Sequence, residues 1–294
     1  MLSVLIPLYN CDATKLVAEL ADQCTKAGIR FQILCFDDGS KQKYKLINRV
    51  VSSVFGVSYL EFEENIGRSK IRNKLGFNAM FENLLFLDCD SSIPSKKFIK
   101  RYVRNLEDYS VVYGGTRYKK SPPRSVKKRL HWKYGLTREA LPVKKRSARG
   151  NMAFRSNNFM IKRELFLSTG FDESITQYGH EDTLLAMRLQ TMQIDIRHID
   201  NPVEHKGLED TKVFLRKTKE SIDNLIHLES MGKSIPTPLT KMAGRLKAYH
   251  LSPIFHLFYE RYASIIEKNL YSKAPKMLYF SLYKLKYYLE QSKI

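Results

Sequence analysis

Short apolar runs alternate with longer stretches of helical period through the first 115 residues. LSVLIPLY precedes a helical pattern over 14–27, FQILCFDD one over 41–53, VSYLEFEE one over 67–81 and NLLFLDCD one over 95–107, and VVYGGTRY closes the series. Near-continuous apolar strands separated by helices predict an α/β fold, a parallel sheet covered on both faces, with its ligand crevice beyond the carboxyl ends of the strands. Polar residues stand at those ends: Tyr9 and Asn10, Asp37 and Asp38, Glu64 and Asn65, then Asp88 and Asp90. The topology brings them to one rim.

Residues 117–149 carry a Pro-Pro pair and many cations with little periodicity, which predicts an irregular basic excursion. Order returns in RGNMAFRSNNFMIKRELFLSTGFDES, with a helix expected over 162–168 and another over EDTLLAMRLQTM, where Leu184, Leu185, Met187, Arg188 and Leu189 give a mostly apolar face. QIDIRHIDNPVEHKG then reads as a strand leaving into a turn. Beyond about residue 232 the character changes again. Leu278, Leu282, Leu285 and Leu289 fall at helical spacing among tyrosines and lysines, and Ile254, Leu257, Phe258, Tyr262 and Ile265 repeat the pattern. Such a basic amphipathic helical extension suits the headgroup region of an anionic membrane; the same stripes suit packing on the globular body or a homodimer.

Composition narrows the class. With 294 residues and 43% hydrophobic content the chain can bury a full core, which excludes disorder as the default. Cys11, Cys24, Cys35 and Cys89 form no CxxC pair, arguing against a zinc ribbon or a secreted disulfide framework and for a reducing cytoplasm. MLSVLIPLYN lacks the basic start and cleavage site of a signal peptide, and no apolar stretch reaches the length of a membrane span, so neither secretion nor an integral membrane location is expected. The net charge of +20 is concentrated in 117–149 and 233–294, while the remainder balances. Two local contacts with something anionic are implied, not a surface coated for nucleic acid. No helix-turn-helix, zinc or RNA-recognition pattern accompanies the charge, so no nucleic-acid partner is expected.

The sharpest chemical signal is LLFLDCD, two carboxylates around one residue at the end of a buried strand. Hard oxygen ligands there suit Mg²⁺ or Mn²⁺ and, through it, a diphosphate. The same triplet also occurs in phosphatases that use the first Asp as nucleophile, although DCDSSI stands on the fourth strand and lacks their Gly-Thr. Taken in order, VLIPLYN, FDDGS, NIGRSKIRN, DCD and YGHEDTLLAMRL resemble the family 2 inverting glycosyltransferases of GT-A fold, over roughly residues 1–215.

That resemblance implies a GT-A, Rossmann-like, mostly parallel sheet flanked by helices over 1–231, divided into a nucleotide-binding half (1–115) and an acceptor half (116–231), followed by the helical tail 232–294. It also implies a UDP-sugar donor, a saccharide or lipid-linked acceptor, and Mn²⁺ or Mg²⁺, with surface glycans made at the cytoplasmic face of the plasma membrane. By resemblance Tyr9, beside the Pro7 backbone, stacks on the base and Asp38 accepts the imide proton. Asp37 instead holds the turn completed by Gly39 and Ser40. Arg72 reaches the donor, Arg68 remains a solvated helix charge, and Asn65 caps that helix. Asp88 touches the ribose and Asp90 ligates the metal. Asp182 is the base that deprotonates the acceptor hydroxyl, with Glu181 orienting it or the acceptor. His205 is the further metal ligand and His180 a weaker candidate. Trp132 and residues 149–158 are candidates for the acceptor side.

Overall fold

Strand β1 (Leu2–Leu8) has the parallel β2 (Phe31–Asp37) on one side and the parallel β4 (Asn83–Leu87) on the other, and β2 continues to β3 (Val57–Glu61). In this computed structural model, which describes residues 1–175 and 178–292, the main sheet runs β3-β2-β1-β4-β8-β6-β9. Lys293 and Ile294, the last residues of the basic tail, lie outside the described residues. The antiparallel β8 (Asn158–Lys162) separates β4 from β6 (Val111–Tyr113), and β9 (Arg197–His198) lies parallel to β6. A smaller sheet sets β10 (Val203–His205) between β5 (Ser91–Ser92) and β7 (Thr116–Arg117). The segment QIDIRHIDNPVEHKG, expected as a strand leaving into a turn, thus holds two short strands in different sheets.

The apolar runs are continuous because both faces of the sheet are covered. Successive side chains of β1 point to opposite faces, and Leu2, Val4, Ile6 and Leu8 meet one buried layer while Leu5 meets the other. The first layer includes Leu16, Val17 and Leu20 of α1 (Thr14–Lys26) and Phe98, Ile99 and Tyr102 of α4 (Phe98–Val103). The second includes Ile71 and Leu75 of α3 (Arg68–Asn78), Phe166 of α7 (Arg163–Thr169) and Leu185 and Leu189 of α8 (Glu181–Thr191). Between β2 and β3, α2 (Gln42–Asn48) ends in a 3-10 turn over 49–53. The strand order reverses beside β1, between β2 and β4, which makes the carboxyl ends of β1 and β4 the natural ligand crevice.

The chain packs as two units. Residues 1–118, 139–175 and 181–207 form the sheet unit; 119–138, 178–180 and 208–292 form a helical one. The basic excursion is not irregular as its composition suggests: it contains α5 (Arg129–Tyr134) and α6 (Val143–Ser147). Its helices are set by tertiary contacts instead of apolar period. In the sheet unit, buried Arg146 donates to the carbonyls of Leu141, Tyr113, Gly114 and Ile199 at 2.8–3.2 Å. In the helical unit, Leu130 is fully buried and His131 stacks on Phe214 with ring centroids 4.6 Å apart.

The helical unit is completed by α9 (Thr211–Ser230), α10 (Pro238–Ala248), α11 (Ser252–Leu270) and α12 (Met277–Gln291). Thr237 and Thr240 close a reciprocal capping box before α10, with Pro238 at the first helical position. The two stripes of the tail have different fates. Leu285 and Leu289 of α12 are buried where it packs on α9 and α11, with Leu282 half-buried and Leu278 exposed at its start, whereas Ile254, Leu257, Phe258, Tyr262 and Ile265 of α11 are all exposed. Among the described residues no helix is long and apolar enough to cross a membrane.

Candidate active site

The rim is built by three loops tied to one another. After β1, Asn10 accepts from the Lys41 amide at 2.9 Å, and its own amide donates to Ser40 Oγ at 2.8 Å. After β2, the Asp38 carboxylate accepts the amides of Ile66 and Gly67 at 2.7 and 3.2 Å, while Asn65 Nδ2 donates to the Asp38 carbonyl at 3.1 Å. Gly39, at φ +71°, is required here, since a Cβ would lie 2.5 Å from the Glu64 carbonyl carbon. Asp37 accepts the Ser40 amide at 2.7 Å, the turn-holding bond expected of it. Burial raises the Asp38 carboxyl, and the two amides partly offset that. A carboxylate has about four lone-pair sites, so two remain for any further donor. Pro7 is half-buried and Tyr9 is 52% exposed at the same edge.

Asn65 does not cap α3: Gly67 occupies the N-cap with no side-chain bond, and Asn65 serves the Asp38 loop instead. From α3, Arg72 points to the end of β4, where Nη2 donates to Asp88 Oδ1 at 2.7 Å. Its guanidinium is buried and lies 5.5 Å from the Phe171 ring. One turn earlier Arg68 is half-exposed, as expected of a solvated helix charge, but it is also paired: its Nη1 is 3.5 Å from Glu181 Oε1. The i, i+4 spacing of Arg68 and Arg72 held the signal for this, since it puts both on one side of the helix.

Glu181 is buried at the start of α8. Burial opposes its charge, but Arg68 and Arg72 outweigh it and hold the carboxyl below its usual range. Asp182 faces Arg155, with Oδ2 3.8 Å from Nη1, and its Oδ1 accepts the Thr183 amide at 2.8 Å. The helix N-terminus also favours an ionised carboxylate at both positions. Arg155 comes from a loop without periodicity, and nothing in the sequence singled it out beyond its place within 149–158. His180 and Trp132 belong to the helical unit, where His180 Nε2 is 3.0 Å from the Ser221 carbonyl and Trp132 Nε1 donates to the Lys119 carbonyl at 2.8 Å.

Asp90 and His205 are brought together, Oδ1 to Nδ1 at 3.5 Å, by pairing of β10 with β5. Burial lowers the His205 imidazolium, but Asp90, with Glu139 and Asp88, more than reverses this and lifts it to about 9. Gly207 makes room for the carboxylate: a Cβ there would stand 2.0 Å from Asp90 Oδ2. An aspartate oxygen with an imidazole nitrogen is a donor set that suits Mn²⁺ better than Mg²⁺. Among the described residues no group of three or more His, Cys, Asp and Glu is close enough to hold an ion, so a cation here would draw its other ligands from diphosphate and water.

The model of the family described as glycosyltransferase like family 2 matches residues 3–216. The chain belongs to that family. Among solved structures this family 2 chain is similar to the mannosyltransferase PcManGT from Pyrobaculum calidifontis in complex with GDP-Man and Mn²⁺, at 16% identity, with a TM-score of 0.60, over 99% of this chain and 85% of that one. It is also similar to TarS 1–349 of S. aureus in complex with UDP, at 16% identity, with a TM-score of 0.51, over 99% and 90%. These likenesses show the GT-A fold for the family 2 chain. No curated protein matches its sequence.

Proposed function

We propose that this glycosyltransferase moves a sugar from a UDP-sugar to a hydroxyl of a saccharide or lipid-linked acceptor, with inversion, in surface glycan synthesis at the cytoplasmic face of a membrane. The observation that carries the reading is the placement of three charge pairs, Arg72–Asp88, His205–Asp90 and Arg68–Glu181, by the elements around the β4 end. A fold alone supports many chemistries; opposite charges held at the crevice narrow them.

In this reading Tyr9 stacks on the uracil and the remaining lone pairs of Asp38 accept its imide proton. Asn65 fixes the loop that carries Asp38. Arg72 holds Asp88 toward the ribose and brings cationic charge to the donor's diphosphate side. Asp90 and His205 would hold Mn²⁺, which when bound neutralises charge gathering on the departing UDP. Asp182 takes the acceptor's proton as the acceptor oxygen bonds to the anomeric carbon and the bond from that carbon to phosphate breaks on the opposite face. Glu181, fixed by Arg68, orients the start of α8. The phosphatase alternative needs Asp88 as a nucleophile, yet Arg72 already engages that carboxylate at 2.7 Å.

The test is release of UDP or GDP from a panel of nucleotide sugars by purified chain with Mn²⁺. UDP-sugar turnover that falls at least about 100-fold in Asp90→Asn and Asp182→Asn is expected. Equal turnover in both variants, or turnover of GDP-sugars alone, overturns the assignment.

A further inference from the structure

We infer that the outer face of α11 is the surface by which this chain rests on an anionic lipid bilayer. The inference deepens the membrane-facing part of the proposed function, and rests on it for the choice of membrane. Leu251, Ile254, Leu257, Phe258, Tyr262 and Ile265 are all exposed, Leu257 at 75% and Ile254 at 64%. At 3.6 residues per turn these six lie within an arc of about 140°. The opposing side of the helix carries its buried contacts, Tyr259, Ile266 and Leu270. A contiguous apolar surface of this kind marks an interaction site, because isolated exposed residues would be scattered around the helix.

The charges identify what covers it. The same helical geometry places Arg261 and Lys268 within the apolar arc, and puts Glu260 and Glu267 outside it, toward the flank of the buried side. Arg and Lys stems lie along apolar surface while their heads reach outward, so an arc of this composition fits acyl chains bordered by anionic headgroups. The preceding helix extends the pattern: Lys241, Met242, Arg245 and Tyr249 are exposed along one side of α10 and its end. His250, at φ 53°, turns the chain directly into Leu251. A second copy of this chain would bring the same cations against themselves, whereas a bilayer containing phosphatidylglycerol complements them.

The test is co-flotation of the full chain with vesicles of phosphatidylglycerol and phosphatidylcholine, against phosphatidylcholine alone, at low and high salt. Binding to the anionic vesicles only, weakened by salt, is expected. Each cation near an anionic surface strengthens binding about fivefold, so Arg261→Gln/Lys268→Gln should bind about 25-fold more weakly. Leu257→Glu/Ile265→Glu should lose more than about tenfold. Sites this exposed leave folding intact, which the circular dichroism spectrum checks. Equal binding to neutral vesicles, or wild-type binding by either variant, overturns the inference. So does a vesicle-free dimer in sedimentation that Leu257→Glu/Ile265→Glu converts to monomer. Flotation is read without donor turnover, so a failed transferase assay and a failed membrane surface are separate results.

Discussion

Replacing Gly207 by alanine should disable the site without unfolding the protein. The added Cβ would stand 2.0 Å from Asp90 Oδ2 and 2.8 Å from its Cγ. Carbon and oxygen in contact need about 3.3 Å, so the carboxylate must retreat by about 1.3 Å. The obstructing atoms are the end of a side chain that is one-third exposed, so rotation of Asp90 relieves the clash at an off-rotamer cost of about 0.5–1.5 kcal/mol and weakens its contact with His205. A displacement of about 1 Å at a reacting centre costs on the order of 100-fold in rate. Under the proposed function the assay is kcat/KM for UDP release across a Mn²⁺ titration, paired with thermal unfolding. A fall of about 100-fold, a weaker Mn²⁺ half-saturation and a Tm lowered by only a few degrees are expected. A variant within twofold of wild type, with the same Mn²⁺ dependence, would falsify the placement of Asp90 in the site.

Arg146→Met should destabilise the chain by about 1–3 kcal/mol in urea unfolding, because the Leu141 carbonyl loses its buried donor, while the Tyr113, Gly114 and Ile199 carbonyls each keep a backbone N–H. Gly76→Ala puts a Cβ 2.1 Å from the Phe166 ring, so the helix-propensity gain is overturned and a net loss of about 1–3 kcal/mol follows; Phe166→Leu in the same chain should restore most of it. Burial, with Arg138 adding to it, lowers the Lys284 ammonium from 10.5 to about 8. Between these values the unfolded chain holds the extra proton, so wild type gains stability relative to Lys284→Met as pH rises from about 8 to 10.5. The gap closes by at most about 3 kcal/mol over that window, and a flat difference between the two chains would refute the burial argument.

The first four strands and the rim beyond them were legible because burial on both faces forces continuous apolar runs, and because chain ends of parallel strands share a side. Runs of two or three residues, such as β9 and β10, carry no such signal, and their assignment to separate sheets depends on partners distant in sequence. The helices of the basic excursion escaped notice for a different reason: cations interrupt the apolar period, and Leu130, His131 and Arg146 become interior only through contacts made elsewhere in the chain. Within the site, strand-end acids were readable, while the partners that orient them were less so. Arg68 was visible in retrospect from its spacing to Arg72, Gly207 from nothing but the closeness of Asp90.

Tyr9 stands apart from its neighbours on the rim. Asp38, Arg72 and Asp88 are each committed to backbone or ionic partners, so exchanging any of them disturbs two loops at once. A half-exposed aromatic at the loop's edge can be exchanged with little loss of stability. Under the proposed function, drift in nucleotide preference among descendants of this enzyme would therefore start at position 9, with the scaffold beneath it held constant.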